Sequence, residues 1–589
     1  MLTRTIRRRS VPERDTLPAD LHPLLRRVYA ARGVRAAEEL DLELTGLIPV
    51  GRLDGIGTAV ELLCVHHARR SRIIVVGDFD ADGATSTALV VRQLRRLGFQ
   101  DVDFIVPNRF QYGYGLTPPI VQLAAQQQPG LIITVDNGIS SHAGVDQARM
   151  LGIDILITDH HLPAATLPAA NAIVNPNAQN GFPSKMLAGV GVAFYLMAAL
   201  TREMQTRGRC LHPEPVADLL DLVALGTVAD LVPLDRNNRI LVYQGLRRIR
   251  AGRCLPGIRA LLESANRLPE SVLAADLGFQ VGPRLNAAGR LDDMSIGIQC
   301  LLSDDAQTAR QLAARLTQLN QDRRELERQM QQDAMASVAN MRAEDPQLPL
   351  GMCLFDENWH QGVVGLVASR VKDKLHRPVI ALARADADSL KGSARSVPGV
   401  HVRDVLEAVA VRHPELIEKF GGHAMAAGLT LPAQGLDRFR EAFDAEVRRW
   451  MSIDQAVGIV HSDGALRSDE LTLEIAQLLR ESGPWGQGFP EPLFDGRFQV
   501  RRLRVLGGGR HLKLEVHDGL DACCEAIVFR HFDQEDAPQV QLGAWIELAY
   551  RLDVNHYGGT GRLQLIAEHL RILDDRSRTR TPRDLADEG

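Results

Sequence analysis

Asp80 and Asp82 stand two residues apart in Val75-Val76-Gly77-Asp78-Phe79-Asp80-Ala81-Asp82-Gly83, at the exit of an apolar run. Three more stretches end in acids or imidazoles: Thr134-Val135-Asp136-Asn137-Gly138, Thr158-Asp159-His160-His161 and Gly226-Thr227-Val228-Ala229-Asp230. All four are read as strand tips, and a charge at the exit of a buried strand needs a partner or a metal. Asp80 and Asp82, followed by Gly83, can aim two carboxylates around a tight turn at one site and so serve two ions. Asp136 is the natural bridging ligand, and His160 and Asp230 complete one ion's shell. Carboxylates with one or two imidazoles suit Mn2+ or Mg2+ better than zinc. Two such ions roughly 3.5 to 4 Å apart suit in-line displacement at phosphorus. The expected chemistry is therefore phosphoester hydrolysis with two divalent cations, with Asp78 and Asp159 standing behind the ligands to orient them or balance charge.

The elements that must position these residues follow from periodicity. From Arg72 to about Val242, apolar runs of strand length (73–76, 102–106, 131–135, 153–158, 172–174) alternate with helical patterns such as Ala84 to Leu97. That rhythm predicts a doubly wound parallel α/β sheet, in which ligands sit beyond the carboxyl ends of the strands. Residues 306–343 lack Gly and Pro and carry apolar residues at near-heptad spacing. They read as one helix of roughly 55 Å, a strut between two lobes rather than a dimerising coiled coil, because a second α/β pattern begins at Met352. From about Gly458 short alternating strands with Gly-rich turns predict a small β-barrel. The expected organisation is an N-terminal cap (1–50), a catalytic α/β domain (51–305), a connecting helix (306–345), a second α/β domain (346–457), a barrel (458–575) and a disordered tail (576–589).

With 68 basic against 73 acidic residues, the net charge of −5 excludes strong overall attraction to nucleic acid, so phosphate binding must come from local patches. The longest apolar stretch, Met186 to Leu200, is too short to span a bilayer and reads as a core helix. Seven cysteines without a CxxC pair fit a reducing cytoplasm. The basic N-terminus is not followed by an apolar segment of signal-peptide length.

The order DxD, VDNG, DHH and GTVAD resembles the DHH phosphoesterase superfamily. Trp359-His360-Gln361-Gly362-Val363-Val364-Gly365 and Gly421-Gly422-His423-Ala424-Met425-Ala426-Ala427-Gly428 resemble its associated C-terminal domain, of DHHA1 type. Within the superfamily, Val106-Pro107-Asn108-Arg109-Phe110, Gly113-Tyr114-Gly115-Leu116, the run from Gly282 through Asn286 to Arg290, and Gly392-Ser393-Ala394-Arg395-Ser396 are similar to the RecJ family of bacterial exonucleases. The similarity runs from about residue 50 to 575 and includes an OB-like barrel. It implies that Asp80, Asp82, Asp136, His160 and Asp230 are metal ligands and that His161 contacts the scissile phosphate. It also implies 5′ to 3′ degradation of single-stranded DNA to mononucleotides, in recombination and repair.

Supporting contacts are expected from Arg109, Ser393, Arg395 and His423, in or near Gly-containing turns of two lobes, where guanidinium forks and backbone N–H groups hold a terminal phosphate. Arg284 and Arg290 either line the groove or brace the lobes. Arg510 and Lys513, with Arg501, Arg502 and Arg504, form a basic run on the barrel that suits single strands or a solvated sheet edge. The expected partners are single-stranded DNA, a single-strand-binding protein and a helicase, with no membrane and a monomeric chain. A phosphodiesterase for short oligonucleotides or cyclic dinucleotides would use the same two lobes but has no need of a barrel. A non-catalytic nucleic-acid scaffold would show eroded ligands, whereas every acidic position is filled.

Overall fold

A computed structural model describes residues 4–12, 16–108, 112, 114–210, 213–344, 348–452, 458–520, 522–533, 537–555 and 561–573. The chain forms two units, residues 37–325 with 484–490, and residues 1–36 with 326–483 and 491–589. Arg109 and the tail 576–589 lie outside the described residues.

In the first unit five parallel strands lie in the order Val102–Ile105, Ile73–Gly77, Leu131–Val135, Asp154–Thr158, Ala172–Val174. The strands Ile73–Gly77 and Leu131–Val135 are buried at every residue, as the continuous β-branched runs of a sheet covered on both faces require. From Ile73–Gly77 the chain first adds a strand on one side and then crosses to the other, so the topological switch point lies between Ile73–Gly77 and Leu131–Val135. A crevice opens at the carboxyl ends there. The Asp78–Asp82 turn follows one of these strands and Asp136 the other.

One expectation fails. Gly226 to Ala229 ends a helix, Leu220–Ala229, and Asp230 is its C-cap rather than a strand tip. Every residue from Leu220 to Val228 is buried, and an all-round apolar run carries no period to distinguish helix from strand. Residues 1–50 also divide between the units at Ala36.

The second unit holds a five-stranded sheet ordered Lys419–Gly422, Ala426–Pro432, Ser389–Arg395, Val379–Arg384, Met352–Phe355, over a core that includes Phe439, Phe443 and Leu406. It also holds a closed five-stranded barrel, Phe494–Leu506, His511–His517, Cys523–Val528, Arg562–Ile572 and Trp545–Asn555. The N-terminal strand Thr5–Arg8 pairs in parallel with Ile459–Ser462. Arg8 bonds Asp495 at 2.8 Å, and buried Arg32 bonds Asp463 at 2.9 Å. The helix Ala306–Glu344 carries the chain from one unit into the other. Among the described residues no helix is long and apolar enough to cross a membrane.

Candidate metal centre

Asp80 caps the helix Ala81–Arg96, its Oδ1 accepting the N–H groups of Asp82 (2.9 Å) and Gly83 (3.0 Å). That cap bends the chain so that Asp78, Asp80 and Asp82 face one crevice. Gly83 is obligatory, because a Cβ would stand 2.6 Å from the Asp78 carbonyl oxygen. Asp82 points to the N-terminus of the helix Gly189–Thr206, where Gly189 N–H donates to Oδ2 (2.6 Å) and Val190 N–H to Oδ1 (2.9 Å). Helix N-termini favour such anions.

Asp136 sits at φ +62°, in the left-handed region. Its N–H donates to Thr158 O at 3.0 Å, while the Asn137 amide donates to the Val76 and Val135 carbonyls. Gly189 leaves room for it, since a Cβ there would approach Asp136 Oδ1 to 2.7 Å. Asp159 accepts from His160 N–H (2.7 Å), His161 N–H (3.1 Å), His161 Nδ1 (2.7 Å) and Ile139 N–H (2.9 Å). With both oxygens engaged, it orients the histidine pair, as expected for a residue behind the ligands.

His160 Nε2 lies 3.1 Å from Asp136 Oδ1, 3.5 Å from Asp230 Oδ2 and 4.0 Å from Asp82 Oδ2. Ligand atoms group as Asp82, His160 and Asp230, as Asp78, Asp80 and Asp136, and as Asp136, His160 and His161, each set within 4.8 Å. Asp136 and His160 are each shared between two of these sets. Asp78, expected to stand behind the ligands, offers an oxygen to the cluster itself.

The electrostatics ask for cations. Asp136 Oδ1 and Asp230 Oδ2 are buried without a well-formed hydrogen bond. Burial, and then the carboxylates of Asp82, Asp80 and Asp78, push both acids well above the usual carboxylate range. Burial and Asp80 push Asp82 up to about 7 against the opposing Val190 and Gly189 N–H groups. Divalent cations would relieve each of these penalties, so the donor set fits them. For His161, burial disfavours the charge, but Asp159 outweighs it and raises the imidazole to about 9. Burial, reinforced by Asp159 and Asp78, also keeps the Tyr114 phenol protonated.

The DHH family N-terminal domain matches residues 72–227, the DHHA1 domain residues 347–449 and the RecJ OB domain residues 462–569. The single-stranded-DNA-specific exonuclease RecJ of Salmonella typhimurium is 52% identical over 573 residues, covering 96% of this chain and 99% of the relative. The RecJ of Escherichia coli is likewise 52% identical, over 96% and 98%. The chain belongs to the RecJ family. A crystal structure of RecJ from Thermus thermophilus in complex with Mn2+ is similar with a TM-score of 0.78 at 31% identity, covering 95% of this chain and 79% of that one.

Several RecJ-like motifs have structural work to do that their sequence does not announce. Asn286 Oδ1 accepts the Ala81 N–H at 2.7 Å. A Cβ on Gly289 would stand 1.8 Å from Phe79 O. The helix Gly282–Leu291 therefore clamps the turn that carries Asp80 and Asp82. The clamp joins residues some two hundred positions apart in the chain, and no residue type announces it. Arg284, a candidate for DNA contact, is a brace instead. It is buried, with Nε on Thr317 Oγ1 and its other nitrogens on the carbonyls of Gln280 and Ser264. Arg290 ends the same helix, half-buried.

In the second unit, Arg395 donates to Ser393 Oγ (2.7 Å) and the Ala394 carbonyl (2.8 Å), and burial lowers its pKa with no carboxylate to offset it. The glycine that faces that guanidinium is Gly365, where a Cβ would stand 2.9 Å from Arg395 Nη2. His423 follows at the exposed hairpin turn. On the barrel Arg510 is exposed, as are Arg501, Arg502 and Arg504. Lys513 is engaged by Glu525 at 2.8 Å and contributes less free charge than expected.

Proposed function

We propose that this chain is a metal-dependent exonuclease that hydrolyses single-stranded DNA from the 5′ end to mononucleotides, in DNA recombination and repair. The observation that carries the reading is the convergence of buried acids and His160 at the switch point of a sheet, in a chain of the RecJ family. Asp80, Asp82, Asp136, His160 and Asp230, with Asp78, would hold two divalent cations, Mn2+ or Mg2+. When bound, the cations supply positive charge at the scissile phosphate and lower the pKa of water. Asp136 would be shared between them, and Asp82 is held ready by the Gly189 and Val190 amides. His161, whose Nδ1 is fixed by Asp159, turns its other nitrogen to a phosphate oxygen and carries a proton near neutral pH.

Ser393, Arg395 and His423 capture the 5′-terminal phosphate. A half-buried guanidinium with no carboxylate partner among the described residues gains from such an anion. Arg510 and the neighbouring barrel arginines track the strand electrostatically. The chain acts as a cytoplasmic monomer, supplied with single strands by a helicase and a single-strand-binding protein. The test is release of label from 5′-labelled and 3′-labelled single strands with Mn2+. Mononucleotide should leave the 5′ label first and blunt duplex should resist, whereas early release from the 3′ end would overturn the polarity.

A further inference from the structure

Tyr114 lies on the loop that follows the strand Val102–Ile105, and half of its surface is exposed. Its hydroxyl nevertheless reaches the centre. It donates to the Asp136 carbonyl at 3.2 Å and lies 3.2 Å from His161 Nδ1. A phenol is at once a donor and an acceptor. With its hydrogen on Asp136 O, a lone pair faces His161 Nδ1–H, which Asp159 Oδ1 already accepts at 2.7 Å. The imidazole is thereby held at two points on one nitrogen, which fixes both its tautomer and its rotation.

The ring is held as firmly as the hydroxyl. It packs edge-on against His161 (centroids 5.8 Å apart, 76°) and against Phe79 (6.1 Å, 76°), the residue between Asp78 and Asp80. Its loop is pinned next door, where Gly115 turns at φ +78° and Leu116 N–H donates to Ser141 Oγ at 3.1 Å. Gly144 lies so close to Leu116 O that a Cβ would stand 1.9 Å away. One side chain thus touches the turns of Asp80, Asp136 and His161, three separate strand ends.

We infer that Tyr114 is a positioning residue, its hydroxyl tying the phosphate-facing imidazole of His161 to the backbone of Asp136. Asp136 needs outside support at its left-handed turn, and the same hydroxyl provides it. The inference rests on the exonuclease reading above.

The test compares wild type with Tyr114→Phe, His161→Ala and the double variant, in single-turnover and steady-state hydrolysis of a 5′-phosphorylated single strand with Mn2+. Mn2+ affinity is measured in parallel by calorimetric titration without DNA. Tyr114→Phe should lower kcat about tenfold to a hundredfold, the usual cost of losing a partner behind a functional group, with KM and Mn2+ affinity unchanged within about twofold. In the His161→Ala background the same change should have no further effect, because the hydroxyl acts through the imidazole. A wild-type kcat in Tyr114→Phe overturns the inference. So does an equal fold-loss with and without His161, or a loss of Mn2+ affinity that matches the loss of rate. A wild-type protein inert on single strands would instead overturn the functional reading itself.

Discussion

The Asp136 carboxylate is buried, sits on a left-handed backbone and feels four other acids, Asp82, Asp80, Asp78 and Asp230. Its two costs, strain and repulsion, differ in which substitution removes them. Asparagine tolerates the left-handed turn, whereas alanine there costs on the order of 1–2 kcal/mol. Asp136→Asn should abolish hydrolysis yet raise the unfolding temperature in chelator. With Mn2+ the order should reverse, because only the wild type gains the binding free energy of the ions. Thermal melts with and without chelator check this, and a mutant that melts below wild type in chelator would count against a repulsive cluster. The same cluster sets a pH dependence. Asp82 is raised to about 7, so its contribution to stability is whole below the unfolded carboxylate value of about 4 and is lost as pH rises through about 7. Asp136 and Asp230 shift in the same direction. Chelated protein should therefore melt at a lower temperature at pH 8 than at pH 5, and Mn2+ should flatten that slope.

At the scale of elements, helix ends and one clamp build the centre. The helix Gly189–Thr206 offers its first amides to Asp82, and the helix Gly282–Leu291 holds the Asp80 turn through Asn286 and Gly289. Asn286→Ala would leave the Ala81 N–H without its acceptor, at about 1–3 kcal/mol. The expected result is a Mn2+ affinity about tenfold weaker and a lower kcat, with the global fold intact by circular dichroism. Gly289→Ala should be more severe, because its Cβ would have to displace the Phe79 carbonyl. Unchanged Mn2+ affinity in both variants would remove the clamp from the account. In the second unit, the strand Ser389–Arg395 ends on Arg395, whose guanidinium lies against Gly365. Arg395→Ala should lose rate mainly on 5′-phosphorylated strands, and Arg395→Lys should restore little, because an ammonium lacks the planar fork. Equal losses on 5′-hydroxyl and 5′-phosphate strands would separate Arg395 from the terminal phosphate.

At the scale of the whole molecule, the chain order does not follow the units. Residues 484–490 lie between the strand Ile459–Ser462 and the first barrel strand in sequence but belong to the catalytic unit, where Leu234 N–H donates to Gln487 O at 2.7 Å and Arg239 stacks 4.2 Å over Phe489. Removing residues 459–589 would strip this segment, and it would also remove the partner of the N-terminal strand Thr5–Arg8. Such a truncation should destabilise both units and is a poor probe of DNA binding. A cleaner probe is Arg501, Arg502 and Arg504, exposed on the barrel, all changed to Ala. Affinity for long single strands should fall, and the slope of log K against log salt should shrink by about 1 to 2, at roughly 0.7 per neutralised phosphate, the lower figure applying if Arg502 stays engaged by Glu515 at 3.3 Å. Hydrolysis of very short oligonucleotides should be preserved. An unchanged slope would give those arginines to a solvated edge or a protein partner.

The sequence by itself determined the chemistry and the catalytic sheet. The runs 73–76, 131–133 and 155–157 are apolar at every residue because both faces of those strands are covered, and acids and histidines at the ends of several such runs together point to a metal where one alone would read as a turn or cap. Long local periods likewise disclosed the helix Ala306–Glu344, and even alternation disclosed the barrel. Only the tertiary structure decided what depends on contacts distant in the chain. Asp230 comes from a helix because an all-apolar run conceals its own period. Arg284 is a brace because its acceptors, Ser264, Gln280 and Thr317, are brought together only by packing. Asn286, Gly189 and Tyr114 carry no metal-binding chemistry of their own. Their part lies in the Ala81 amide, the Asp82 carboxylate and the Asp136 carbonyl that folding sets beside them.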